Sequence, residues 1–96
     1  MKRILASLTL IAGLAGALPA AAADCYADYK AKRDNPLKLH YGVMQLQTGC
    51  DRQSARAEVA QRLQRNGWTL LNVVSVFGPE GLNGRRGDAG SFFLKF

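Results

Sequence analysis

Cys25 and Cys50 are the chain's only cysteines, and the residues before them mark the segment that holds them for export. Lys2 and Arg3 make a positive start, Ile4 to Leu18 is an uncharged apolar run, and Pro19 breaks it ahead of an alanine tract, Ala20 to Ala23. A charged start, an apolar middle and a small-residue end make a secretory signal peptide. The cut is expected after Ala23, with Ala21 and Ala23 as the A-x-A pair; a cut after Ala22 fits nearly as well. The apolar run is shorter than the ~20 residues of a spanning helix. Asp24 stands where lipoprotein processing needs a small residue before the cysteine. The expectation is a cleaved signal over residues 1–23 and one small exported domain over 24–96, with no membrane span in the mature form.

In an oxidising compartment, an even cysteine count in a small domain reads as a disulfide. Two cysteines allow one intramolecular pairing, and its loop of about 25 residues contributes roughly 3–4 kcal/mol by the chain-entropy estimate. Redox catalysts place their cysteines two apart, unlike this pair. A structural zinc site needs four ligands, and beyond the cysteines the chain has one histidine, His40. No metal or cofactor is expected. A domain of this size draws only marginal stability from its core, so the cross-link matters.

Asp24 to Asp34 predicts a short helix capped by Asp24, with Asp28 and Lys32 as an i,i+4 pair. Asn35-Pro36 ends it. Leu37 to Gln47 predicts a strand, with Leu39, Tyr41 and Val43 on one side and His40, Met44 and Leu46 mainly on the other. Thr48 to Asp51 is a turn. Ser54 to Asn66 is the clearest helix, because Ala55, Val59 and Leu63 recur every four residues and Ala60 widens the stripe. Ser54 or Asp51 caps it, Glu58 and Arg62 pair along it, and Gly67 stops it. Trp68 to Phe77 is rich in Val and Leu with apolar residues on both faces, so it is expected to be the central strand. Gly78 to Gly90 reads as a glycine-rich loop, and Ser91 to Phe96 as a closing strand with Phe92, Leu94 and Phe96 on one side. The order is α-β-α-β-β: a two-layer α+β fold whose three-stranded sheet is packed by one long helix, with a short disulfide-tethered N-terminal helix beside it.

Gly67-Trp68-Thr69-Leu70 and the Ser91 to Phe96 segment resemble a family of small bacterial domains built as strand, helix, Gly-Trp-x-Leu strand, glycine-rich loop and closing strand. The whole resembles small secreted proteins of alphaproteobacteria with no assigned activity. Tyr41-Gly42-Val43-Met44-Gln45 followed by the Ser54 helix also resembles one half of the sporulation-related repeat domain. That resemblance implies peptidoglycan binding.

Any general acid/base scheme must start from His40, and no nucleophile with a positioned base accompanies it. A histidine on an alternating strand reads first as a half-buried packing residue, and Trp68 as packing against Val59 and Leu63. Glycines at 78, 81, 84, 87 and 90 fall every third residue, but one proline over so few triplets excludes a collagen helix. Arg86-Gly87-Asp88 matches an adhesion tripeptide by chance. The net charge of +6 falls to +4 once Lys2 and Arg3 are removed. Arg56, Arg62 and Arg65 on the helix, with Arg85 and Arg86 on the loop, are the candidate residues for an anionic partner. Without an aromatic–basic array, nucleic acid is not expected. The sequence therefore predicts a monomeric, non-catalytic binding or accessory protein of the cell envelope, in the periplasm of a Gram-negative bacterium. Its expected partner is an envelope protein or peptidoglycan. The enzymatic alternative rests on His40 alone.

Overall fold

A computed structural model describes residues 24–96; the export signal expected over 1–23 lies outside them. The elements are β1 (Tyr26–Arg33), β2 (Lys38–Gln45), α1 (Arg52–Arg65), β3 (Thr69–Phe77) and α2 (Asn83–Ala89), with 3₁₀ turns at Pro79–Gly81 and Gly90–Phe92. The strands form an antiparallel sheet in the order β2-β1-β3. The fold is α+β as expected, in the order β-β-α-β-α. No helix among the described residues is long and apolar enough to cross a membrane.

The N-terminal segment corrects the expectation most. It is the central strand, not a helix. Cys25, Ala27, Tyr29 and Ala31 alternate on a side that is almost wholly buried, which is the two-residue period of a strand. Asp28 and Lys32, the expected helical pair, instead bond Arg85 and Asp34. The Cys25–Cys50 disulfide is present, with Cα atoms 5.9 Å apart. It ties the start of this strand, rather than a helix, to the turn before α1.

Strand β3 is an edge strand, not the central one. Its ladder to β1 slips at two places, so that Leu71 and Val74 have no partner. Each is the extra residue of a bulge, which takes a side chain out of the alternation. Leu71 and Val74 are exposed, so the apolar residues on both faces come from bulges and not from cover on both sides.

The sheet is covered unevenly. On one face, α1 lays Ala55, Val59 and Leu63 over Ala27, Tyr29, Ala31, Met44 and Val73. Asp51 caps α1 by accepting from the Ser54 amide. At its other end Gly67 takes φ 82°, Trp68 N–H bonds Leu63 C=O, and Gly67 N–H bonds Gln64 C=O. That is a Schellman stop at the expected glycine. On the opposite face, Tyr26, Val43 and Ala89 form a second core with Tyr41, Phe77, Leu82 and Phe93.

The glycine-rich segment is therefore not a loop, since α2 runs through Gly84 and Gly87. The closing segment is not a strand either. After the 3₁₀ turn it makes a single bridge, Phe93 to Val43, and Leu94 N–H donates to Val43 C=O. Phe92 and Phe96 do share a side, packed on the α1 core, whereas Leu94 is exposed.

Candidate functional site

Two of the five candidate arginines are spent inside the fold. The Arg62 guanidinium donates to Glu58 at 2.6 Å, to the Gln45 carbonyl at 2.7 Å and to the Phe96 carbonyl. Glu58 also accepts from the Gln47 and Thr48 amides and the Thr48 hydroxyl. Burial alone would raise the Glu58 carboxyl, but these hydrogen bonds hold its pKa below the ordinary value. The expected Glu58–Arg62 pair is thus real, yet it faces inward and latches α1 to the end of β2.

Arg85 closes a second buried network. Asp28 accepts from Ser75 at 2.6 Å, from Tyr41 at 2.7 Å and from Arg85 Nε at 3.1 Å. Burial pushes the Asp28 carboxyl up; the Ser75, Tyr41 and Arg85 hydrogen bonds and the Arg85 charge outweigh it and leave the pKa lowered. Tyr41, half-buried and hydrogen-bonded to that carboxylate, is pushed up to about 12 by desolvation and by that bond. The Arg85 guanidinium also lies 3.8 Å above the Phe77 ring. Of the remaining candidates, Arg56 and Arg65 are exposed on α1, and exposed Arg86 lies over Phe93 on the opposite side of the sheet. The candidates are not gathered into one basic surface.

His40 is half-buried, as its place on an alternating strand predicts. Its ring stacks on Phe92 at 3.7 Å and meets Trp68 edge-on at 4.3 Å. Nε2 lies 3.0 Å from the Tyr29 hydroxyl, and the buried Nδ1 has no hydrogen-bond partner. Burial, and then the charge of Arg33, lower its pKa to about 4. The imidazole is neutral at ordinary pH and belongs to an aromatic cluster. Arg33 caps the cluster from outside, 4.1 Å over the Trp68 ring.

The open surface lies elsewhere, at the β1–β2 hairpin. Helix α2 covers only the Tyr26–Asp28 half of its face. Toward the hairpin turn, Lys30, Ala31, Leu39, His40, Tyr41 and Leu71 line an uncovered groove of about 320 Å³. Leu39 is 65% exposed there, and Leu37 in the turn is 63% exposed. The register sets Lys30 opposite Tyr41, Lys32 opposite Leu39 and Arg33 opposite Lys38. Two cations directly across a ladder repel each other. Among the described residues Lys32 pairs with Asp34 at 3.4 Å, whereas Lys30, Arg33 and Lys38 form no ion pair.

Reading β1 as a helix scattered these cations in the sequence. The signal that would have found them is the alternation from Tyr26 to Arg33, which carries Lys30 and Lys32 to one face and Arg33 to the other. A second groove, of about 330 Å³, runs between α1 and β3, lined by Arg56, Ala60, Gln64, Trp68, Thr69, Leu70 and Leu71. No family model, curated protein or solved structure matches the chain.

Proposed function

We propose that the chain is an exported, non-catalytic binding domain that attaches to an anionic component of the cell envelope through the open hairpin end of its sheet. The disulfide belongs to an oxidising compartment outside the cytoplasm. The observation that carries the reading is the join of exposed leucines with unpaired cations, Lys30, Arg33 and Lys38, at one end of the molecule. Arg33 gains its contact with the Trp68 ring, but Lys38 across the ladder from it adds only repulsion in a solvated surface, which an anionic partner turns into attraction. His40 supports a packing role instead, because its ring is enclosed by Phe92 and Trp68.

Cosedimentation of the oxidised protein with purified envelope, across a salt series, tests this. Binding should fall as salt rises. Lys30→Glu with Lys38→Glu should weaken it far more than the same change at Arg56 and Arg65. No binding at low salt, or binding indifferent to the hairpin charges, would overturn it. Binding to sacculi stripped of lipid would favour peptidoglycan as the component.

A further inference from the structure

We infer that the anionic component is the headgroup plane of a phospholipid bilayer, met end-on by the β1–β2 hairpin; this rests on the function proposed above and names its partner. The first argument is the distribution of charge around the hairpin. Lys30 stands on the sheet face that carries Leu39 and Tyr41, beside Lys32 and its ion-pair partner Asp34, whereas Arg33 and Lys38 stand on the face that carries His40 and Trp68. A protein or glycan chain lying along one face would reach only half of these cations. A plane that the hairpin enters tip-first meets both halves at once.

The second argument is the chemistry of the tip. The turn ends in Leu37, and Leu39 follows two residues later; both are more exposed than any other large apolar residue described. An interfacial element seats its apolar side chains about 5–10 Å into the headgroup and acyl boundary, with cations at the phosphate level. Strand residues rise ~3.3 Å each, so Arg33 and Lys38 lie beside the turn, and Lys30 and Lys32 within roughly three further residues of it. Long lysine side chains span that difference by extending toward the phosphates. Leu71, on the bulge of β3, continues the apolar surface along the floor of the groove shared with Leu39.

The test is flotation of the oxidised protein with vesicles of pure phosphatidylcholine and with vesicles that also contain phosphatidylglycerol. Binding is expected only to the second kind. Each basic residue near an anionic surface is worth about fivefold in affinity. Lys30→Gln and Lys38→Gln should therefore each cost about that much, and Arg56→Gln, in the first half of α1 toward the disulfide, should cost nothing. Leu37→Ser and Leu39→Ser should each weaken binding about tenfold. Both side chains are exposed, so these variants keep the fold, which a far-ultraviolet spectrum checks. Equal binding to the two vesicle types, or binding that ignores both leucines, overturns the inference. Binding to lipid-free sacculi without binding to vesicles also overturns it while leaving the envelope reading intact; failure to bind either material ends both.

Discussion

At the residue scale, His40 makes the fold sensitive to mild acid. As the only histidine, it is the one side chain whose ordinary pKa lies between the carboxylates and neutrality. Its folded pKa is lowered to about 4 by burial and by Arg33, against about 6.5 in the unfolded chain. Between those values the unfolded state binds the proton and the folded state does not. Stability is therefore full above about pH 6.5 and declines as pH falls toward about 4. The full shift corresponds to ~3 kcal/mol, and the ring's partial contact with solvent brings that to roughly 1–2 kcal/mol. Urea midpoints measured from pH 7 down to about 4.5 should show this slope, and His40→Phe should flatten it. A wild-type profile already flat in that window would mean that the imidazole is not enclosed as described. Gly42 belongs to the same cluster. A Cβ there would run into the Tyr29 phenol, so the glycine provides the space in which Tyr29 reaches His40.

The elements show which local signals survive packing. Helix α1 was legible because three independent cues agree: the Ala55-Val59-Leu63 stripe, a cap at Ser54 or Asp51 and the Gly67 stop; the structure uses Asp51, so the helix starts at Arg52 and not at Ser54. Strand β2 was legible from its alternation. The β1 strand was not, because alanines and an Asp28–Lys32 spacing are also what a helix uses. Only the sheet shows that Ala27 and Ala31 are fully buried beside Tyr29. Helix α2 was illegible for a different reason: glycine costs a helix interior about 1 kcal/mol, and a piece this short does not hold in water alone. Tertiary contacts hold it, chiefly the reach of Arg85 to Asp28 and the packing of Leu82 and Ala89. The hairpin site was lost along with β1, since its cations converge only once that strand is paired. Arg85→Ala should consequently destabilise the protein by about 2–3 kcal/mol, because it leaves the buried Asp28 carboxylate without its cation. Amide exchange should speed up over residues 83–89 while α1 stays protected. Unchanged protection in α2 would show that its apolar contacts suffice.

For the whole molecule, the cross-link and the proposed attachment surface sit at opposite ends of one strand. The disulfide fastens Cys25, just before β1, to Cys50 in the turn that leads to α1. The Cys25 carbonyl also accepts from Leu46 N–H, so β1, β2 and α1 are gathered at that end. The eight residues of β1 then carry the chain to the hairpin tip, about 26 Å away at strand rise. Replacing both cysteines by serine should lower stability by roughly 3–4 kcal/mol, the value for closing a loop of this length. A denaturation midpoint unchanged by the substitution, or by reductant on the native protein, would contradict that. The separation adds a sharper expectation. Below its melting point, the serine variant should bind envelope with the affinity of the parent, because Lys30, Leu37, Leu39 and Lys38 lie at the hairpin-turn end of β1 and β2, away from Cys25. If affinity instead falls while the variant is still folded, the disulfide end sets the hairpin's shape, and the two ends of β1 do not act independently.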